Sequence, residues 1–188
     1  MTRCENLQAK ATRTQLKLRA VASLEEVANF ELKSGIRLPE DYVHFLTHVG
    51  NGGMKPCRLV RLQDWDAGYW SSAKLESDLR KPCVISPQAE AQGDQWLNEL
   101  GIEDLDKKWD ADEWDPLYGT IAIAEIGCGL FYSLIVNGEY FGRVFSWGDS
   151  ALCPPMFAHE ATFTDWMEGR LDAKLAGRPV HFLDGRLR

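Results

Sequence analysis

The sequence predicts an α+β fold: an antiparallel β-sheet, built as a meander, flanked by N-terminal and C-terminal helices. Two amphipathic helical patterns come first, three apolar segments joined by short turns follow, and one more helical pattern comes after them. Helices, then consecutive strands, then a helix is the order of an α+β domain rather than of alternating βαβ units. Short turns between successive strands favour antiparallel pairing.

The first helical pattern begins at Ser23. Ser23 and Glu26 have the spacing of a capping box, in which each residue satisfies a backbone N–H of the other. Leu24 opens the apolar face of this helix, and Gly35 is expected to end it in a left-handed conformation. Residues 1–22 are polar and weakly helical, so they are expected to form a frayed lead-in.

The second helical pattern follows at once. Pro39 fits the first turn of a helix, where its missing N–H costs nothing, and two acidic residues follow it at the positive end of the helix dipole. One apolar face is expected, made of Leu38, Tyr42, Phe45, Leu46 and Val49. The glycine-rich run at 50–53 accepts left-handed angles cheaply and should end the helix.

The strongest strand signals lie in the second half of the chain, at 119–126, 130–136 and 140–147. Asn137 and Gly138 stand between two apolar runs and predict a two-residue type I′ hairpin. Phe141, Phe145 and Trp147 would then share one face of the third strand.

The closing helix is expected to be capped by Thr162 or Thr164. Its apolar face comprises Phe163, Trp166, Met167, Leu171 and Leu175. Between the first helices and the strands, residues 63–118 show no regular pattern, apart from a short strand candidate at 84–86 and a short helix candidate at 94–100. We therefore interpret 23–188 as one domain that carries a variable insertion at about 63–118.

Three segments together resemble the SUKH superfamily, which includes the Smi/Knr cell-wall-assembly regulators and many bacterial immunity proteins. The stretch Gly-Ile-Arg-Leu-Pro-Glu-Asp-Tyr-Val-His-Phe-Leu at 35–46, followed by Asn-Gly-Gly at 51–53, is similar to the opening motif of that superfamily. Residues 138–147 look like its sheet, and residues 163–167 look like its closing helix. The match covers roughly 23–62 and 119–176, and the insertion departs from it.

This resemblance implies a binding fold without catalysis. Bacterial members of the superfamily are linked to immunity proteins that block a toxin, often a nuclease, and fungal members act as regulators. The resemblance also implies that partner choice lies in the variable parts of the chain. The first functional expectation is therefore an immunity protein, with a regulatory or adaptor protein as the alternative and a small hydrolase as a weaker one.

Composition narrows the possible partners. The 188 residues carry a formal charge of −7, whereas a nucleic-acid binder usually presents a basic face. Five widely spaced cysteines without a Cys-x-x-Cys pair argue against a disulfide framework or a zinc site and favour a reducing cytoplasm. No segment approaches the roughly 20 apolar residues of a membrane span, and the N-terminus lacks a signal sequence. We expect a cytoplasmic monomer or weak dimer without a cofactor.

The sequence offers few candidates for catalysis. His44 and His48 have a zinc-binding spacing but lack the glutamate of metalloproteases, and both are expected to be exposed on the polar face of their helix. Cys57, Cys83, Cys128 and Cys153 lack the sequence of a nucleophile elbow, although His159 and His181 are available as bases. No catalytic residue, metal ligand or phosphate-binding loop is predicted.

Glu31 falls within the apolar stripe of the first helix, where a carboxylate needs hydrogen-bond donors. The superfamily carries a glutamate at this point. We expect Glu31 to have a structural role and to accept hydrogen bonds from N–H groups of the following loop.

The insertion contains an acidic cluster with interleaved tryptophans. The candidate partner-binding residues are Trp109, Asp110, Asp112, Glu113, Trp114 and Asp115. An acidic face could occupy the basic cleft of a toxin domain and speed its association, and tryptophans often anchor interfaces. The alternative is that the same residues form a solvated surface, as charge runs usually do. A calcium loop is disfavoured because the required glycine and closing glutamate are missing.

Three aromatic residues at the start of the insertion leave a further alternative open. Trp65, Tyr69 and Trp70 could add to the interface or pack against the sheet.

Overall fold

A computed structural model describes residues 2–54, 58–66, 76–89, 117–127, 129–148 and 154–178. Within these residues, the α-helices are α1, Arg3–Arg13; α2, Leu24–Ser34; α3, Glu40–His48; and α4, Phe163–Leu175. The strands are β1, Lys17–Leu18; β2, Gly53–Met54; β3, Arg58–Leu59; β4, Thr120–Gly127; β5, Leu130–Ile135; β6, Val144–Gly148; and β7, Met156–Phe157. Two short 3₁₀ helices span Leu62–Asp64 and Glu76–Arg80.

The strands form one seven-stranded sheet within the described residues, and each strand pairs antiparallel with the next one in sequence. Helices precede and follow the three long strands. The prediction of an α+β fold with a helix-flanked antiparallel meander is therefore confirmed. None of the described helices combines the length and the apolar character needed to cross a bilayer.

Both faces of the sheet are buried. Side chains of successive strand residues point to opposite sides, and nearly all residues of β5 and β6 are buried. On one face, Tyr132 and Leu134 of β5 join a cluster with residues of all four helices. On the other face, Ile135 of β5 and Phe145 of β6 pack with buried residues that precede β4. These residues are Cys83, Ile85, Ala89 and Leu117. The described parts of the predicted insertion therefore contribute to the core.

The two central helices follow their local signals. The Ser23–Glu26 capping box is present, and Gly35 ends α2 with a φ of 68°. Arg80 packs against this glycine and donates from Nε to the carbonyl of Ser34 at 2.9 Å, thereby satisfying a free acceptor at the end of α2. All five residues predicted for the apolar face of the second helix are buried.

The predicted two-residue hairpin at Asn137 and Gly138 is wrong. Residues 136–143, which we term the β5–β6 connection, join the two strands instead. Gly138 forms an isolated parallel bridge with Cys83, and Asn137 Nδ2 donates to the carbonyl of Arg80 at 2.7 Å. The pair holds a distant segment against the sheet, and that tertiary contact overrides the local turn signal.

Phe141 is displaced by the same longer connection. It was expected to share a face of the third strand with Phe145 and Trp147, but it lies in a turn before β6 and is about half exposed. Phe145 and Trp147 do lie together in one buried cluster. The prediction for Phe141 was therefore wrong, and its side chain is available at the surface.

The expectation of a frayed lead-in is also wrong for residues Arg3–Arg13. Helix α1 begins with a capping box between Thr2 and Glu5, and Leu7 and Ala11 are buried in the core. Charged residues of α1 pair with α4: Lys10 Nζ lies 2.8 Å from Glu168 Oε1, and Arg3 Nη2 lies 3.1 Å from Glu168 Oε2. These partners lie far along the chain, so no local pattern could reveal them.

The contact between α1 and α4 should make stability depend on pH. Lys10, followed by Arg3, holds the pKa of the Glu168 carboxyl below its usual range. A lowered pKa stabilises the folded state above the unfolded-state pKa, and this contribution is lost as the pH falls through the folded-state value. We expect Glu168→Gln to cost about 1–2 kcal/mol near neutral pH and less as the pH falls below about 4. Urea unfolding of both proteins across this pH range measures the difference, and a pH-independent cost would contradict the ion-pair account.

Candidate functional site: the α2–α3 groove

Helices α2 and α3 and the β5–β6 connection surround an open groove of about 720 Å³. This volume is typical of ligand-binding clefts, which span roughly 300–1,000 Å³. The lining residues are Leu24, Val27, Ala28, Glu31, Arg37, Leu38, Glu40, Val43 and Phe141. Most of the lining side chains are apolar, so the groove suits a partner that inserts apolar groups.

Two large apolar side chains in the groove are open to water. Leu24 is 72% exposed and Phe141 is 48% exposed. Leu24 was expected to open the apolar face of its helix, but it is exposed, whereas Val27 in the same helix is buried. Apolar side chains clustered at an exposed site mark interaction surfaces more often than isolated ones do.

The wall that carries Phe141 is held by backbone hydrogen bonds. Gly142 N donates to the carbonyl of Ile135 at 2.9 Å, and Arg143 N donates to the carbonyl of Tyr140 at 3.0 Å. Gly142 has a φ of +84° and lies beside the ring of Pro39, immediately before α3. The groove is thus formed by ordered turns as well as by helices.

Glu31 lies at the base of the groove, and its side chain is 15% exposed. Its Oε1 accepts a hydrogen bond from the backbone N–H of Leu38 at 2.8 Å, and its Oε2 accepts one from Arg37 Nη1 at 3.3 Å. The prediction that Glu31 accepts hydrogen bonds from loop N–H groups is therefore confirmed. The carboxylate therefore ties α2 to the turn that leads into α3.

Removing this acceptor should destabilise the turn. Glu31→Ala leaves the N–H of the buried Leu38 without its acceptor and is expected to cost about 1–3 kcal/mol in free energy of unfolding. Glu31→Gln keeps an oxygen at the same reach and should cost less. Chemical denaturation of the two variants tests this, and equal costs would mean that the carboxylate, and not an acceptor as such, is required.

The opening motif positions further contacts. Asn51 is buried; its Oδ1 accepts from the backbone N–H of Leu62 at 2.8 Å, and its Nδ2 donates to Gln63 Oε1 at 3.1 Å. Asp41 Oδ2 accepts from the backbone N–H of Thr164 at 2.8 Å and thereby ties α3 to the start of α4. Asn51 and Asp41 of the motif are thus used for internal hydrogen bonds.

A second pocket, of about 470 Å³, joins α1, α3 and α4 and includes Cys4, Asp41 and His44. Sequence reasoning missed this grouping because Cys4 lies in the region expected to be frayed. Burial raises the pKa of the Cys4 thiol, which disfavours the reactive thiolate. The Asp41 carboxylate is engaged with α4, as described above. The pocket therefore lacks an activated nucleophile.

The predicted exposure of His44 and His48 is confirmed, and their rings are tilted against each other with centroids 4.3 Å apart. Across the described part of the chain, no group of three or more His, Cys, Asp or Glu side chains is placed to hold a metal ion. Cys57, Cys128, Cys153 and His181 lie outside the described residues.

The predicted partner-binding cluster lies outside the described residues. This holds for Trp109, Asp110, Asp112, Glu113, Trp114 and Asp115, as well as for Tyr69, Trp70 and the helix candidate at 94–100. Trp65 is described: it is buried and packs edge-on against Phe30, with ring centroids 6.2 Å apart. Of the two alternatives for Trp65, the core position is therefore correct.

The helix-flanked antiparallel meander is an α+β fold, and it carries a mainly apolar groove between α2, α3 and the β5–β6 connection. The sequence model of the SMI1 / KNR4 family (SUKH-1) matches residues 21–169. The chain belongs to this family, which confirms the resemblance found in the motifs. Neither curated proteins nor solved structures gave a significant match.

Proposed function

We propose that this protein is a non-catalytic immunity protein that neutralises a bacterial toxin by direct binding, and that the α2–α3 groove holds part of the toxin. The observation that carries the proposal is that two exposed apolar residues from different elements, Leu24 and Phe141, line the same groove. Membership of the SMI1 / KNR4 family supports a binding role. In this proposal the protein acts in the cytoplasm, as a monomer or weak dimer, and needs no cofactor.

The groove favours a partner with an apolar anchor beside a positive charge. Covering Leu24 and Phe141 would remove apolar surface from water, at about 25 cal/mol for each Å² buried. Among the lining residues, the carboxylates of Glu31 and Glu40 outnumber the single guanidinium of Arg37, which already pairs with Glu31. The negative balance of the groove and the overall charge of −7 both suit a basic toxin domain.

The acidic, tryptophan-bearing cluster of the insertion is proposed as a second contact surface. Its role would be to speed encounter with the basic toxin, because surface charges act mainly on the association rate. Reversing the charge at Asp110, Asp112 and Asp115 should slow association and flatten its dependence on salt. Stopped-flow kinetics measures both quantities, and an unchanged rate would remove the cluster from the interface.

The decisive test of the function is protection from a toxin encoded beside this chain in its source genome. Cells that express the toxin should survive when the wild-type protein is co-expressed and should die with the Leu24→Asp, Phe141→Asp double variant. Leu32→Asp is the matched control, because Leu32 is an 80% exposed residue of α2 that does not line the groove. If wild-type protein gave no protection, the immunity function would be wrong.

A regulatory or adaptor role is the second candidate, and the SMI1 / KNR4 family match is the observation that favours it. Affinity purification from the native host distinguishes the two functions. An immunity protein should recover one toxin stoichiometrically, whereas a regulator should recover host proteins and no toxin. Both functions would use a groove suited to a protein segment.

A further inference from the structure

An arginine-lined pocket lies apart from the α2–α3 groove and shares no lining residue with it. Arg19 follows β1, Arg58 lies in β3 and Arg61 precedes the first 3₁₀ helix, yet all three line one pocket of about 170 Å³. We term this site the arginine pocket. Three guanidiniums drawn from separate segments are unexpected in a chain whose formal charge is −7.

Asp64 also lines the arginine pocket, and its interactions show that all three arginines lie near its carboxylate. Its carboxylate accepts a two-pronged interaction from Arg61, at 2.8 Å from Nε and 3.0 Å from Nη2. The pKa of Asp64 is lowered, first by the hydrogen bonds from Arg61 and further by the charges of Arg58 and Arg19. All three guanidiniums therefore lie within electrostatic reach of one carboxylate.

The Asn-Gly-Gly motif shapes this pocket. Gly53 lines it directly, and Gly52 adopts a φ of +87°. A Cβ on Gly52 would lie 2.7 Å from Cγ of Arg61, so only glycine lets the stem of Arg61 pass this close. The backbone and Asp64 thus fix the orientation of the Arg61 guanidinium, which reduces the ordering cost of binding a ligand.

Hydrogen-bond donors remain available in the pocket. Among the described residues, the contact with Asp64 uses Nε and Nη2 of Arg61 and leaves Nη1, while Arg58 uses Nη1 to pair with Glu125 and leaves Nε and Nη2. Within the described residues, the guanidinium of Arg19 makes no hydrogen bond or ion pair. The three guanidiniums thus outnumber the two carboxylates that pair with them, those of Asp64 and Glu125, and the local net charge is positive.

We propose that the arginine pocket binds a phosphate group, either as free phosphate or as the end of a small phosphomonoester. Planar guanidinium forks match phosphate oxygens in geometry and charge. The volume of about 170 Å³ limits the enclosed part of the ligand to a small group. This site is independent of toxin binding, so the same protein would bind a second, small ligand at a separate place.

Nuclear magnetic resonance titration with inorganic phosphate at constant ionic strength tests the proposal. We expect saturable shifts at the backbone amides of Gly53 and Met54 and at the Nε–H signals of Arg58 and Arg61. Phenyl phosphate, titrated in parallel, distinguishes the two sources: tighter binding of phenyl phosphate favours an ester, and equal or weaker binding favours free phosphate.

Arg19→Gln is the test variant, because among the described residues Arg19 hydrogen-bonds through its backbone N–H to the carbonyl of Gly52, and the substitution keeps that bond. It should weaken phosphate binding about tenfold, which corresponds to one charge-assisted hydrogen bond. Arg13→Gln, at an exposed arginine of α1 that lines neither the arginine pocket nor the α2–α3 groove, should leave the affinity unchanged. The proposal is overturned by an absence of saturable shifts, by an equal response to acetate, or by wild-type affinity in Arg19→Gln.

Discussion

Trp166→Ala is expected to lower the free energy of unfolding by about 3–5 kcal/mol, the usual cost of truncating a fully buried large aromatic residue. Trp166 is 1% exposed and lies where α4 packs on the sheet. Its ring centroid is 5.1 Å from that of Tyr132 in β5 and 5.6 Å from that of Phe163. Because a domain of this size is stable by only about 5–15 kcal/mol, much of the protein could unfold at 37 °C.

Trp166→Phe separates the contribution of ring packing to stability from that of the polar indole N–H. The indole Nε1 has no hydrogen-bond partner in the described part of the chain, so the side chain stabilises the fold by packing. Phenylalanine keeps most of the ring contacts and should cost clearly less than alanine. Guanidinium denaturation followed by circular dichroism measures both variants. A cost below about 1 kcal/mol for alanine would contradict the placement of α4 against the sheet.

Gly119→Ala is expected to cost about 2–4 kcal/mol, because it combines a left-handed backbone with a steric clash. Gly119 precedes β4 and has a φ of +66°. An added Cβ would lie 2.6 Å from the carbonyl oxygen of Asn137 and 2.7 Å from that of Lys81. These neighbours are backbone atoms, so the clash could be relieved only if the backbone around Lys81 moved away from the sheet.

Gly177→Ala is the matched control for this substitution. Gly177 has the same φ of +66°, but an added Cβ would meet nothing within 4 Å. Its cost should reflect only the left-handed conformation, at about 1 kcal/mol. Thermal and chemical unfolding of both variants measures the difference, and equal costs would show that close backbone approach at Gly119 is unimportant.

Local signals predicted the elements whose determinants are close in sequence. The signals that begin and end α2 act within one or two helical turns. The structure contains both as predicted: the capping box of Ser23 and Glu26, and the left-handed Gly35. Helix α1 was missed because its stability depends on burying Leu7 and on pairing Lys10 with Glu168, both of which require the rest of the fold. Tertiary contacts of this kind leave no local pattern.

The site was predictable only in part. Glu31 could be identified because a carboxylate in an apolar stripe needs donors, and those donors lie a few residues downstream. The contribution of Phe141 to the groove could not, since it depends on how residues 136–143 turn, and Gly138 bridges to Cys83 there. Likewise, Leu79 and Leu117 lie in a segment without periodicity, and only the folded sheet shows that they are buried.

The proposed binding of a protein partner in the α2–α3 groove is tested most directly by the dissociation constant for the proposed partner, a purified toxin domain. Calorimetric titration should show that Phe141→Asp weakens binding about thirtyfold or more, the effect expected for an interface hot spot, while Leu32→Asp binds like the wild type. Unfolding curves should be the same for all three proteins. Wild-type affinity in a folded Phe141→Asp variant would contradict the assignment of the groove.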